Sequence, residues 1–425
     1  MKTMLKCLVI GLMAIGVFFR SEICCAQIIS GQAAPPFSVQ DLKGQTRDLS
    51  AMKGRPMIIL YFFDVDSKPS QEGLLSLNQL GKQYKEADLT VWAITLSPRD
   101  KIDRFLTNTS LLFPILPDVS GVSDLYHARV ILPTVCIVGP GLKVLDYFQG
   151  GGKTTGIMLG RLAERQLQRK QIKVAKALSD EAVKKDPQNV KAKATKGHAA
   201  LKEGNVKEAE QTFKDLSQKG PQGEVLGKEG LAAVYAKQQP EKALQLAKEV
   251  EEKAPDRAYV HVIKGDVLYS QGKKNEAEAE YRKATEKKTA EPYQEASRYN
   301  QLGRFYASSG QYQRAQALYD QAISIDPYYI EGTTNKGLLF EKEGKWDKAL
   351  ESYRQALAIE KNDIFAVLLA KKAQEMLDLQ KDVERKKRMD QLVKDLAARY
   401  HVQREGRKKS EDTWTSQAMV LSFVD

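Results

Sequence analysis

A shift of 34 residues lays one stretch of this chain on another. Gly303, Tyr306, Gly310, Tyr312, Ala315, Tyr319 and Ala322 return as Gly337, Phe340, Gly344, Trp346, Ala349, Tyr353 and Ala356, and only Pro327 is lost, to Lys361. A step of 38 in the other direction, one period plus an insertion, finds Gly265, Leu268, Gly272, Ala277, Tyr281 and Ala284. Earlier still come Gly197, Gly204, Ala209, Phe213 and Pro221, then Gly230, Ala243 and Pro255. Ala175, Ala182 and Pro187 suggest a degenerate first unit, merged with the last helix of whatever precedes it. Between the marked positions the chain is rich in Ala, Glu, Lys, Gln and Leu, all good helix formers. A unit of this length is one helical pair. Alone it cannot bury its apolar face, so the units must stack.

The pattern resembles the tetratricopeptide repeat. Small residues let paired helices approach, a Tyr or Phe is expected to fill the gap between neighbouring pairs, and Pro ends the second helix. The resemblance implies a superhelix whose first helices line a concave groove, with other proteins or peptides as partners. By repeat position the groove candidates are Tyr259, Asp266, Asn300, Arg304 and Asn335, with Glu331 beside them. Asn300 and Arg304 are four apart and are expected to share a helix face. The full Lys/Asn clamp that holds a peptide carboxylate in such proteins is not reproduced. Ordinary groove polarity and a peptide contact both remain open for these residues.

Before residue 152 the texture differs. Pro56–Phe63, Leu89–Thr95 and Thr134–Val138 are near-continuous apolar runs, suited to strands covered on both faces. Helical patterns fall between them, at Leu74–Lys85 and Lys101–Thr107, which implies an α/β sandwich. The order of features resembles the redoxin family of thioredoxin-like proteins, the alkyl hydroperoxide reductase/thiol-specific antioxidant group. Gly31, Pro36 and Phe37 match its opening, Asp41, Gly44, Leu49, Lys53 and Gly54 its next elements, and Met57–Phe63 its central strand. Pro133 and Thr134 stand where the family has its cis-proline.

The family's redox cysteines follow the central strand. Carried over, they fall on Ser67-Lys68-Pro69-Ser70. The chemistry needs a thiolate made acidic by a helix N-terminus. Serine keeps a capping oxygen but not that nucleophile, so Ser67 or Ser70 is expected to cap a helix over 71–85. Cys136 is expected to be a thiol inside an apolar strand. The alternative is a thiol-disulfide oxidoreductase or peroxidase that works through Cys136 or through a partner's thiols.

Three of the four cysteines, Cys7, Cys24 and Cys25, lie in a leader-like segment. Lys2 and Lys6 precede an apolar run from Cys7 to Phe19, and small residues follow, which reads as a signal peptide cut after Ala26 and hence export to the periplasm or envelope. An uncleaved anchor is the other reading. The histidines, His127, His198, His261 and His401, show no metal-ligand spacing, and no phosphate loop is present, so no cofactor is expected. Gly150-Gly151-Gly152 reads as a hinge between domains. The net charge of +12 raises the question of nucleic acid, but export and the lack of an aromatic-studded basic groove argue against it. Charge is densest in Lys381–Arg407, either a solvated helix face or a contact for an anionic membrane or polymer surface. The final Met419–Asp425 reads as a strand without an evident partner.

The expected architecture is an α/β thioredoxin-like domain followed by an all-α tetratricopeptide-repeat solenoid. The expected parts are a leader over 1–26, the α/β domain over 27–152, repeats with capping helices over 153–400, and a basic tail over 401–425.

Overall fold

The computed structural model describes residues 28–85, 89–150, 153–289, 291–361, 363–379, 389 and 391–396. The leader, most of the Lys381–Arg407 stretch and the apolar C-terminal segment lie outside these residues. Among the described residues no helix is long and apolar enough to cross a membrane.

The first half is built on a five-stranded sheet. A short antiparallel pair, β1 (Ser38–Gln40) and β2 (Thr46–Asp48), leads into β3 (Ile58–Phe62), α1 (Lys68–Gln83), β4 (Thr90–Thr95), α2 (Arg99–Thr107), β5 (Ile115–Pro117), α3 (Val122–Leu125), β6 (Thr134–Val138) and β7 (Val144–Gln149). The spatial order is β5-β4-β3-β6-β7, with β3, β4 and β5 parallel and β6 and β7 antiparallel to their neighbours. β3 is buried at every position, so it carries apolar residues on both pleat faces rather than alternating with polar ones. Ile59 and Tyr61 point to the face that α1 covers, while Ile58, Leu60 and Phe62 join Phe37, Trp92 and Tyr126 on the other.

The second half is a run of helical pairs: α4 (Thr154–Gln168) with α5 (Ile172–Lys185), α6 (Val190–Glu203) with α7 (Val206–Ser217), and α8 (Gly220–Tyr235) with α9 (Pro240–Lys253). Then come α10 (Tyr259–Ser270) with α11 (Lys274–Glu286), α12 (Pro292–Ser308) with α13 (Tyr312–Ile325), α14 (Ile330–Lys342) with α15 (Trp346–Ile359), and α16 (Ile364–Leu379). Gly204, Gly272, Gly310 and Gly344 each close the first helix of a pair at φ between 71 and 86°, a left-handed turn that side chains disfavour. The other repeated glycines are packing positions. A Cβ at Gly303 would stand 2.7 Å from the Tyr319 ring, and one at Gly337 2.4 Å from the Tyr353 ring. The aromatic ring thus seats on the glycine of its own pair. Phe213 does what the sequence led us to expect of all of them: it is pinched between Gly197 of its own pair and Gly230 of the next.

The two halves share one core. Met158, Leu159 and Leu162 of α4 pack in the same cluster as Tyr61, Leu74 and Val135, and that cluster runs on through Val174 and Leu178 of α5 to Ala192 of α6. Helix α4 is therefore both the closing helix of the sheet and the opening helix of the solenoid. Gly73 of α1 sits so close to Tyr61 and Thr155 that a Cβ there would overlap the Tyr61 hydroxyl. Gly151 and Gly152 of the expected hinge lie outside the described residues.

The solenoid also curls back on its own start. Arg165 on α4, 6% exposed, bridges Asp146 on β7 at 3.0 Å and Glu291 at the start of α12 at 3.2 Å. In the turn after α4, Arg169 pairs with Glu360 beyond α15 at 2.7 Å, and Lys170 faces Glu331 of α14 at 3.6 Å. Tyr293 donates to the Gln168 carbonyl at 3.4 Å. Cations of the first repeat thus meet carboxylates of the later ones, which closes the stack against the sheet domain.

Candidate functional site

The most constrained place in the α/β domain is the carboxyl end of β3. Phe62 pairs with Thr134, so Pro133 lies at the end of the sheet from which the chain leaves toward α1. The Leu132–Pro133 peptide is cis. The Pro133 carbonyl accepts from the Gly150 amide at 3.1 Å. Gln149 donates to the His127 carbonyl at 2.6 Å and to Thr134 Oγ1 at 3.2 Å, which ties the Pro133 segment to the loop after α3.

Ser67 caps α1, its Oγ accepting from the Ser70 amide at 3.4 Å. The helix begins at Lys68, earlier than the 71–85 span expected, because Pro69 is tolerated in a first turn where its missing N–H has no partner to lose. Ser70 is consequently inside that turn. It is 0% exposed, its carbonyl accepts from the Tyr61 hydroxyl at 2.9 Å, and its own Oγ has no partner among the described residues. Among those residues neither serine has an imidazole or carboxylate within hydrogen-bonding distance that could take its proton. Asp64 accepts from the Asp66 amide and from Ser97, and Asp66 is paired with Lys101.

Cys136 pairs with Leu60 in the sheet. It is 0% exposed and belongs to the cluster on the sheet face away from α1, whereas its neighbours Val135 and Ile137 face α1. Burial pushes its thiol far above the ordinary range, and the Asp146 carboxylate adds to the shift. Cys136 lies three residues after Pro133, and strand alternation turns its side chain to the opposite face from the Ser67 helix. It is the only free thiol among the described residues.

Around this end of the sheet the loops expose apolar side chains. Leu96 follows β4, Val119 follows β5, and Val130 and Ile131 precede β6; Val119 is 91% and Val130 88% exposed. Ligands of open α/β sheets bind beyond the carboxyl ends of the strands, where these residues form a rim.

The repeat candidates are placed differently from one another. Asn300 is buried between α12 and α14, donating to the Tyr329 hydroxyl at 3.2 Å and accepting from Asn335 at 2.9 Å. These two amides satisfy each other across the stack. Arg304, one turn on, is half-buried and donates to Gln301 at 2.6 Å, so the face expected to be shared by Asn300 and Arg304 divides into a buried and a half-buried position. Glu331 is buried and engaged by Lys170. Tyr259 sets its ring edge-on to His198, with 6.0 Å between ring centres. Asp266 accepts from the Tyr281 hydroxyl at 2.5 Å, and burial pushes its carboxyl up to about 6, against the opposing pull of that hydrogen bond and of Arg304.

His198 is a repeat-position candidate the sequence reading passed over. It follows Gly197 as Asp266 follows Gly265 and Arg304 follows Gly303, so repeat register was the available signal. Burial, with Lys202 and Arg257 nearby, pulls its imidazole down to about 4. Among the described residues no group of His, Cys, Asp or Glu is arranged to hold a metal.

These two groups give the repeats opposing pH responses. Asp266 has a raised folded pKa, so its contribution is full below the unfolded value and is lost as pH rises through about 6. His198 has a lowered one, so its contribution is full above the unfolded value of about 6.5 and is lost as pH falls toward 4. Asp266→Asn keeps an acceptor for Tyr281. It is expected to raise stability at pH 7.5 by roughly 1–2 kcal/mol and to change little at pH 4. Urea unfolding at both pH values checks this. Equal effects at the two would show that Asp266 ionises freely.

Comparison with known proteins agrees with this division. A profile described as the AhpC/TSA family matches residues 30–146. Tetratricopeptide-repeat profiles match 166–228, 228–292, 296–329 and 334–363. The thiol-disulfide oxidoreductase ResA of Bacillus thuringiensis (strain Al Hakam) is 30% identical over 121 residues, covering 28% of this chain and 69% of that protein. Among solved structures, a thermophilic TPR protein of Thermus thermophilus is 23% identical with a TM-score of 0.38, over 44% of this chain and 99% of that one. A putative thiol:disulfide interchange protein DsbE from Chlorobium tepidum is 22% identical with a TM-score of 0.28, over 35% and 99%. This chain belongs to the AhpC/TSA family of thioredoxin-like proteins, in a form continued by tetratricopeptide repeats.

Proposed function

We propose that this protein is an exported protein-interaction scaffold in which the redoxin domain has given up sulfur chemistry and kept its binding end. The observation that carries the reading is the presence of Ser67 and Ser70 at the N-terminus of α1 together with Cys136, the one free thiol among the described residues, buried on the far side of the sheet. A helix N-terminus can stabilise a thiolate by several pKa units, but a serine hydroxyl starts too high for that field to make it a nucleophile without a base. What such an end retains is shape: the apolar rim of Leu96, Val119, Val130 and Ile131 suits an extended polypeptide. The inner wall of the repeats, with Tyr259, Asp266, Arg304 and His198, would supply the larger contact. Export rests on the leader-like segment before Gln27.

The test is turnover. The purified chain is offered a protein disulfide with an external dithiol, and separately hydrogen peroxide. The expected rate equals that of a heat-denatured sample. A rate above it that disappears in Cys136→Ser would establish instead an oxidoreductase working through that thiol.

A further inference from the structure

Where the start of the solenoid meets the late repeats, Arg165, Arg169 and Lys170 each face a carboxylate. One neighbouring place lacks such pairing. A cleft of about 360 Å³ lies between the Ala51–Pro56 loop and the segment that ends α15, with Lys53 and Arg55 on one wall and Glu360 and Lys361 on the other. Lys53, Arg55 and Lys361 are exposed, and none has an ion-pair partner among the described residues. The carboxylate of Glu360 is already committed, accepting from Arg169 Nη2 at 2.7 Å and Nε at 3.2 Å. The C-terminus of α15 adds only about half a negative charge. Three cations therefore line the cleft against a helix end and a carboxylate that Arg169 already neutralises, and the cleft stays net positive.

The loop is held in place. Gly54 takes φ 88°, and its amide donates to the Pro140 carbonyl at 2.8 Å. The Arg55 amide donates to Met52 at 3.0 Å. Lys53 and Arg55 thus project from a pinned turn, across from a helix end that the Arg169–Glu360 pair fixes to the first repeat. Like charges gathered this way repel at a cost that a bound counter-ion removes. The volume is at the small end of the range for ligand pockets. Arginine's planar fork favours a bidentate oxyanion, and lysine supplies point charge.

We propose that this interdomain cleft binds a small anion carrying two or more negative charges on oxygen, of phosphate or polycarboxylate chemistry. Lys53 and Arg55 hold it from the sheet domain and Lys361 from the repeats. Bound there, it bridges the two halves and strengthens the closure made by Arg165 and Arg169. The inference does not depend on the loss of redox chemistry.

The experiment uses the full chain. Inorganic pyrophosphate and citrate are titrated by calorimetry at constant ionic strength, with potassium chloride as the control and thermal unfolding followed in parallel. Saturable binding and a rise in melting temperature are expected with at least one of them. Pyrophosphate alone marks a phosphate site, and citrate alone a carboxylate site. The Lys53→Ala/Arg55→Ala pair and Lys361→Ala are each expected to weaken binding at least roughly tenfold, the worth of one charge-assisted hydrogen bond. All three residues are exposed, so the variants should fold, and unchanged unfolding without ligand verifies it. The proposal is overturned if both anions act as chloride does, or if any binding survives both variants undiminished.

Discussion

Arg165→Met is expected to lower the stability of the protein by about 3–5 kcal/mol, the cost of stripping a buried charge of its partner. The side chain of Arg165 is 6% exposed and that of Asp146 8%. The guanidinium reaches Asp146 at 3.0 Å through Nη2 and at 3.2 Å through Nε. Its Nη1 reaches Glu291 at 3.2 Å and Gln168 at 3.2 Å. Methionine preserves much of the packing of the aliphatic stem, so the loss reports on charge. Asp146 would keep only Arg161, at 3.3 Å, and Glu291 would lose its ion-pair link to the sheet domain. Urea denaturation supplies the number. Adding Asp146→Asn should recover part of the loss, because the orphaned carboxylate is then gone. A loss below about 1 kcal/mol would place the arginine with surface ion pairs, which contribute that little. In that case the Arg165 pairs do not hold the solenoid closed.

The second large effect is a gain. Ser67→Cys with Ser70→Cys is expected to raise thiol-disulfide exchange well above that of the native chain, which the proposed function puts at background. The first new thiol would cap α1, where the helix N-terminus and the adjacent first-turn amides lower a cysteine below its usual pKa of about 8.5. The second would sit one turn in, at a position now buried with an unsatisfied hydroxyl, which a thiol tolerates better than an oxygen does. The pH dependence of alkylation should give an apparent pKa at least about one unit below that of a free thiol, and protein-disulfide reduction should rise clearly above the native background. A variant that folds, labels at an ordinary pKa and turns nothing over would show that more than the two sulfurs has been lost.

Much of the architecture was legible in the chain. Thr134–Val138 is the strand its apolar run announced, and the step from Gly303 to Gly337 marks equivalent points in successive helical pairs. Both signals are periodic or continuous over several residues, so local chemistry suffices to read them. The family membership was carried by the order of many weak elements rather than by any single one. Three features could not be read. Helix α4 joins the sheet and the first repeats in one core, which no local pattern in Thr154–Gln168 records. The cation-to-carboxylate closure joins Arg165 to Glu291 and Arg169 to Glu360, residues far apart in sequence that only the curvature of the stack brings together. Asn300 looked like a lining residue by repeat position, but its amide is consumed between helices by Asn335 and Tyr329. A polar residue at a repeat position can satisfy the stack or face the groove, and a single sequence does not separate these roles.

The reach of Cys136, the one free thiol among the described residues, decides the matter, and it is read in a variant with Cys7, Cys24 and Cys25 replaced by serine. Cys136 in the folded chain is treated at about pH 7.5, well below the ordinary thiol pKa, with a small thiol reagent over a series of low urea concentrations, and the labelled fraction is read by intact mass. Labelling limited by the opening of the sheet, accelerating with urea in step with unfolding, is the behaviour that a thiol buried within β6 must have. Prompt labelling without urea would put a reactive sulfur within reach of solvent, and the protein would then be an enzyme of its family rather than a holder of other chains.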